Sequence, residues 1–386
     1  MRIFIIQPNY SSKSETWLRR MNILLNGHIC GMACYLSNEK IEEQFKVFNL
    51  NGSVPTRFER IAGRLGFQKK EQSKIIESAL LEFIIQNRPD AIIIHYATTA
   101  VKYWDILKLI PVPIYIYVHG FDIIWDHNND DGKKIHQALF PSKVLEISKM
   151  PNVKFIVSSN TSKQNLLSIG IEDPKIVKKV FGVEIKQVEK NYHKKNMIIL
   201  FLGRFVDFKG PDIVLTAFLK ACEMGFRGKL IMAGDGPFKN MCELISKQSS
   251  YSDRIEFKGE VSEEQAIALY EKADIYSMHN CKGLLSNGYD TFGVTIIEAM
   301  SFALPVVTGD YSGPAELIKN EFDGLLIEAG NVQDHAAAFM RLYNDRAFAE
   351  FLGSNAVKKV TQDYSIIQEK EQLYSILGLK SNEPIL

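Results

Sequence analysis

At 386 residues the chain is longer than one ordinary core supports, which predicts two domains of similar size. Hydrophobic residues at 46% and charged residues at 24% exclude a disordered or collagenous chain, and a net charge of +1 offers no field for nucleic acid. No window of membrane-spanning length is free of charges and turn signals, so no transmembrane helix is expected.

The opening MRIFIIQPNY predicts a first strand rather than a secretory leader, because its apolar run is short and no small-residue cleavage site follows. Further strands are expected at HICGMACYL, KVFNL, AIIIHY, PIYIYVHG, VKFIVSS and KIVKKVF, with helices over 15–26, 71–87, 97–108, 132–149 and 161–169. Continuous β-branched runs such as Ile92–Ile94 and Ile114–Val118 suit strands buried on both faces of a parallel sheet. The Lys-rich, aperiodic stretch 187–196 (QVEKNYHKKN) predicts a linker between a first domain, 1–186, and a second, 197–360. The second series reads MIILFLG, KLIMAGDG, RIEFKG, ADIYSM, LPVVTG and GLLIEAG, separated by helices near 210–225, 236–249, 262–272, 293–301 and 313–319. Residues 361–386 are expected to be helical, with Tyr364–Leu377 packing back onto the first domain. The fold class is therefore α/β: two doubly wound, Rossmann-like domains facing each other across a cleft, with the chemistry in the loops at the carboxyl ends of the strands.

Cysteine and histidine usage is uninformative about metals. The five cysteines are scattered without a CxxC, and Cys30 and Cys34 fall in an expected strand as packing residues. A reducing cytoplasm fits this usage. His28, His127, His136, His193, His279 and His335 show no metal-ligand spacing.

The strand-end loops of the second half are distinctive. Gly203-Arg204 ends one strand and Lys209-Gly210 opens the next helix, placing two cations near unpaired helix N–H groups, a suitable clamp for a diphosphate. Ala233-Gly234-Asp235-Gly236-Pro237 forms a second tight turn, and Phe257-Lys258-Gly259-Glu260-Val261 a third, where backbone groups suit a nucleobase edge. The run DTFGVTIIEAMSFALP then sets Asp290 eight residues before Glu298, with Phe292, Gly293 and Val294 opening the helix between them. Two carboxylates beside such a helix end can accept hydrogen bonds from the hydroxyls of a ribose and a hexose. A capping Asp and an exposed helical Glu would also account for this pair taken alone. In the first half, Val118-His119-Gly120-Phe121-Asp122 brings an imidazole to a strand end. Asp122 reads either as a turn-stabilising carboxylate or as a group orienting His119. His95, also at a strand end, reads as a residue lining the site.

These motifs resemble the donor half of the retaining GT-B glycosyltransferases, specifically glycosyltransferase family 4. The family's G-R…K-G, G-x-G-P, F-x-G-x-V and E-x7-E elements correspond here to LFLGRFVDFKG, AGDGP, FKGEV and DTFGVTIIEAM, over about residues 190–330. The resemblance implies transfer of a sugar, retaining its anomeric configuration, from a nucleotide-sugar such as a UDP-sugar to a glycan or lipid-linked acceptor, without metal or other cofactor. It implies that Arg204 and Lys209 bind the diphosphate and Glu298 the ribose. Asp290 then faces the transferred sugar together with the amides of Phe292, Gly293 and Val294, while Gly203, Gly234, Gly236, Gly259 and Val261 line the donor site. His119 would stand beside the reacting sugar, making His119, Asp290 and Glu298 the catalytic set. Departures are Asp290 where the family usually has Glu, Ala303 where it usually has Gly, and SSKSETW at Ser11–Trp17 in place of a glycine-rich loop. This last stretch resembles a SETF-type variant, which makes Ser14 and Glu15 acceptor-side candidates. The basic segment 55–74 (PTRFERIAGRLGFQKKEQSK) has an apolar stripe that suits either an anionic leaflet or the underlying sheet. Two other classes share this outline, a nucleotide-sugar 2-epimerase and a non-catalytic glycosyltransferase subunit. A dehydrogenase does not, because neither half opens with GxGxxG.

Overall fold

A computed structural model describes residues 1–9, 16–36, 45–51, 69–129, 131–186, 190–192, 194 and 196–380, with side chains 69–72 left out. Ser14, Glu15 and most of the basic segment 55–74 lie outside the described residues. Contacts divide the chain into two units. The first comprises Met1–Ile123, Ala138–Val157 and Lys163–Lys178, and the second comprises Ile124–Gln137, Ser158–Ser162 and Lys179–Leu386.

Among the described residues, the first unit holds a wholly parallel sheet of seven strands in the order β3-β2-β1-β4-β5-β6-β7. These are β1 Ile3–Asn9, β2 Ile29–Tyr35, β3 Lys46–Asn49, β4 Ala91–His95, β5 Ile114–Tyr117, β6 Val153–Val157 and β7 Ile176–Lys178. Ile3–Ile6, Ile92–Ile94 and Ile116 are fully or almost fully buried, as strands covered on both faces require. Chain order reverses between β1 and β4, the position at which doubly wound sheets open a ligand crevice.

The second unit has a parallel sheet of six strands in the order β10-β9-β8-β11-β12-β13. They run β8 Ile198–Leu202, β9 Lys229–Ala233, β10 Ile255–Gly259, β11 Ile275–Ser277, β12 Val306–Gly309 and β13 Leu325–Ile327. Here the switch falls between β8 and β11. All the strands expected from the sequence are present, whereas the helix expected over 132–149 begins only at Leu139, after turns and an isolated bridge between Asn128 and Lys134.

Residues 179–186 group with the second unit for a specific reason. The buried Lys179 ammonium pairs with the Glu369 carboxylate, which also accepts the Gly182 N–H at 2.8 Å, and Val183 bridges to Ser365. Glu369 belongs to the C-terminal helix Ile366–Leu377, so these polar partners of that helix lie in its own unit. Two unpaired charges could not stay buried there, and the pair survives because each satisfies the other and Glu369 also takes a main-chain N–H.

Candidate active site

The site of the second unit is assembled from the loops that follow β8 and β11. After β8 the chain makes one turn, Asp207–Lys209, and enters the helix Pro211–Glu223 through Gly210. Gly210 has φ +57°, and a β-carbon there would lie 2.5 Å from the His279 carbonyl oxygen, so the loop closes only around glycine. The loop is held from behind by the segment after β11: His279 N–H donates to the Lys209 carbonyl and Cys281 N–H to that of Phe208, each at 3.1 Å. The Asp207 carboxylate accepts the N–H groups of Leu285 and Ser286, both at 2.9 Å, and the Ser286 hydroxyl at 2.7 Å. It thereby fixes the residues leading to Asp290.

This framework brings Lys209 and Asp290 together, Nζ to Oδ2 at 2.5 Å, with side chains only 12% and 20% exposed. Burial pushes the Asp290 carboxyl up, but the charge and hydrogen bond of Lys209, the charge of Arg204 and the Phe292 N–H more than offset it, so Asp290 titrates below the usual carboxylate range. Asn280 amide nitrogen stands 3.5 Å from the same Asp290 oxygen, its orientation set by the Thr308 hydroxyl, which donates to Asn280 Oδ1 at 2.9 Å. The Phe292 ring packs between Phe181 and Tyr364. Arg204 is exposed, its guanidinium 5.7 Å from the centre of the Phe208 ring.

Gly293 is the N-cap of the helix Val294–Ser301, whose half-buried Glu298 accepts the Tyr270 hydroxyl at 3.0 Å. The loops after β8 and β9 are zipped together: Gly203 N–H donates to Ala233 O at 3.0 Å and Phe205 N–H to Asp235 O at 2.8 Å. A β-carbon on Gly234 would come within 2.0 Å of the Gly203 carbonyl, so this approach demands glycine. Gly234 N–H also reaches Gly259 O at 2.7 Å, bringing the end of β10 alongside, with Gly236 in the same turn and Val261 half-buried beyond it. Ala303 explains its own oddity. It has φ +55°, the left-handed region that glycine adopts without strain, and its carbonyl accepts the Tyr192 hydroxyl at 2.5 Å.

Two histidines that the sequence left without a role meet behind this loop. Gly330 N–H donates to His279 Nε2 at 2.7 Å, so the proton of His279 is on Nδ1, which faces His335 Nδ1 at 2.8 Å. His335 therefore carries its proton on Nε2 and donates it to the Ser277 hydroxyl at 2.7 Å. Burial holds His279 down to about 4 and His335 well below the ordinary histidine value, the latter helped by His279. Both native values lie under the unfolded one, so stability from this pair is complete above pH about 6.5 and is lost as pH falls towards about 4. Urea midpoints measured from pH 7.5 to 4.5 should fall across that interval. His335→Gln should start lower and fall less steeply; an unchanged slope would remove the pair from the acid response.

Among the described residues, the first unit gathers the remaining candidates at the ends of β4 and β5. His119 is stacked on Tyr117 with centroids 4.6 Å apart and lies 4.0 Å from Trp17, and its Nε2 is 2.9 Å from His95 Nδ1. His95 is fully buried, so it braces His119 rather than lining an open site. Asp122 is also fully buried: one oxygen accepts Ala97 N–H at 2.8 Å and the other His119 N–H at 2.9 Å. Burial pushes its carboxyl up to about 6 against the pull of these main-chain donors. Asp122 is thus a turn-stabilising carboxylate that sets the His119 backbone, and in this structure neither it nor His95 is exposed to an acceptor. Among the described residues, no group of three or more His, Cys, Asp or Glu is arranged to hold a metal, and no helix is long and apolar enough to cross a membrane.

Comparison with known proteins agrees with this geometry. Residues 183–359 match the family model for glycosyl transferases group 1. An uncharacterised glycosyltransferase of Methanocaldococcus jannaschii is 27% identical over 266 residues, 64% of this chain and 65% of that protein. The capsular polysaccharide biosynthesis glycosyltransferase CapM of Staphylococcus aureus is 25% identical over 243 residues, 59% of this chain and 60% of CapM. The chain therefore matches less than two thirds of the length of either relative. The crystal structure of Anabaena HepE in complex with UDP and glucose superposes with a TM-score of 0.76 at 15% identity, covering 98% of this chain and 99% of HepE, a likeness of fold. Residues 183–359 thus carry the segment described by the group 1 glycosyl transferase model, laid over the strand-end loops of the second sheet, and the chain, with two parallel sheets in this order, has the GT-B fold.

Proposed function

We propose that the protein is a retaining glycosyltransferase that moves a sugar from a nucleotide-sugar to a glycan or lipid-linked sugar acceptor, in the synthesis of a surface polysaccharide or glycoconjugate. The observation that carries this reading is the Lys209–Asp290 pair at the switch between β8 and β11, next to two helix N-termini and on the same loops as Arg204. A leaving nucleoside diphosphate gains negative charge as its bond to the sugar breaks, and fixed cations with helix N–H groups stabilise that charge. A UDP-sugar is the donor proposed, supported by the UDP and glucose in the HepE crystal. The family 4 assignment and the polysaccharide role take support from the motif spacing and from CapM.

In the proposed step the anomeric carbon–phosphate oxygen bond breaks as the acceptor oxygen bonds to the same face of that carbon. The acceptor's hydroxyl proton passes to the leaving phosphate. Arg204 and Lys209 neutralise that phosphate, Asp290 faces the transferred sugar, and Glu298 accepts from the ribose hydroxyls. No divalent ion is needed in this scheme, because the protein supplies the cations. The same reading puts the reaction on the cytoplasmic face of the membrane, with 55–74 as the segment that would touch an anionic leaflet.

The test is a panel of UDP-, GDP- and ADP-sugars, scored for thermal stabilisation and for acceptor-dependent release of nucleoside diphosphate, with and without EDTA. A ligand bound by the native state alone raises the melting midpoint. Expected are stabilisation by one donor, turnover only with an acceptor present, and full activity in EDTA. Turnover that needs no acceptor would indicate an epimerase, and activity restored only by manganese or magnesium would overturn the charge-neutralising role given to Arg204 and Lys209.

A further inference from the structure

Glu298 is not held by its own helix alone. Tyr270, near the end of the helix Glu263–Lys272, is almost fully buried and stacks on Phe302 with centroids 5.3 Å apart. Its hydroxyl donates across to Glu298 Oε2 at 3.0 Å, with the Thr295 carbonyl at 3.3 Å as the longer alternative. The phenol remains protonated, because burial first and the neighbouring carboxylate second push its titration far upward.

The main chain of Tyr270 is anchored as well. Lys190 Nζ donates to the carbonyls of Tyr270, Glu271 and Ala273 at 2.6, 2.8 and 2.9 Å, closing the helix end that carries the tyrosine. A ring fixed by stacking, on a backbone fixed by a lysine, aims one hydroxyl at one carboxylate oxygen. A carboxylate has several acceptor sites, so a donor that occupies one fixes the rotamer in which the others are presented.

We propose that Tyr270 is a positioning residue that sets the Glu298 carboxylate for the ribose of the donor, and so makes the site selective for ribonucleotides. This rests on the reading of Glu298 as the ribose acceptor. A carboxylate that has lost this donor would lose part of its charge-assisted hydrogen bond to the 2′-hydroxyl, while a 2′-deoxynucleotide, which has only the 3′-hydroxyl to offer, would lose less.

The experiment compares wild type, Tyr270→Phe and Glu298→Gln by calorimetry, using UDP and 2′-deoxy-UDP, or the GDP or ADP pair if the panel selects that base. Wild type should prefer the ribonucleotide by about 10- to 100-fold. Tyr270→Phe should bring that preference down by about tenfold, mainly through weaker ribonucleotide binding. Retained binding of the deoxynucleotide shows that the variant is folded. A general loosening of the site would weaken both ligands equally and overturn the proposal. So would a Tyr270→Phe protein with full ribose preference beside a Glu298→Gln protein that has lost it. If Glu298→Gln also keeps the full preference, the ribose reading of Glu298 itself fails.

Discussion

Lys209→Ala is expected to lower turnover by about 10²–10³, the typical cost of deleting one preorganised charge-stabilising group. It should also weaken binding of the free nucleoside diphosphate. The same change leaves the Asp290 carboxylate without its 2.5 Å partner in a site where it is 20% exposed, and breaking such a pair from one side typically costs about 3–5 kcal/mol. In the wild type Asp290 is held below its ordinary value, so its contribution is present at neutral pH and is lost only as pH falls through the acid range. In the variant the two lowering contributions of Lys209 are gone while burial remains, so the carboxyl rises relative to wild type and the stability deficit should shrink as the pH is lowered. Lys209→Ala combined with Asp290→Asn removes the stranded charge. The double variant should recover most of the lost stability, read as the urea midpoint at pH 7, while remaining inactive. Recovery of activity with stability would make the pair a structural ion pair and nothing more.

The pairing itself could not be read from the chain, because Lys209 and Asp290 lie 81 residues apart and meet only through the parallel order β8-β11. What sequence did disclose was each partner's strand-end loop, since Gly210, Gly234 and Gly293 punctuate the strands at fixed places. Strands were equally plain, because continuous Ile and Val runs admit few alternatives in a buried parallel sheet. The supporting residues were hidden for opposite reasons. Tyr270 looks like an ordinary apolar position of an amphipathic helix, and its hydroxyl acquires meaning only when Glu298 is found beside it. Asp207 stands two residues before Lys209 with nothing in its sequence position to mark it, although it binds the loop leading to Asp290. His279 and His335 showed no metal-ligand spacing, yet they form a neutral hydrogen-bonded pair, which spacing cannot reveal. The one helix start misplaced by several residues, 132 against Leu139, lies where Gly132 and neighbouring polar residues favour turns over helix.

His119→Ala should cut turnover by about 10²–10³ with little effect on binding of free nucleoside diphosphate. Arg204, Lys209, Asp290 and Glu298, the diphosphate and ribose candidates, all belong to the second unit, whereas His119 belongs to the first. Its ring is held on several sides: Trp17 at 4.0 Å, Tyr117 and Tyr96 each at 4.6 Å, and a 2.9 Å hydrogen bond to His95. The Asp122 carboxylate adds a 2.9 Å bond to its main chain. Aromatic packing of this density fixes a polar group to well under an ångström, the precision that a group beside a reacting sugar requires. A purely structural histidine in such a cage would report differently. Its removal would open a cavity and lower stability while leaving the turnover of the folded fraction intact. Calorimetry with the nucleoside diphosphate, initial rates with the cognate donor and a urea midpoint therefore separate the two roles. Normal diphosphate affinity with a collapsed rate would assign His119 to the chemistry, since a folded donor site would still be there to bind the ligand. A lowered midpoint with a normal rate per folded molecule would leave it as packing, and the first unit would then contribute no identified catalytic group.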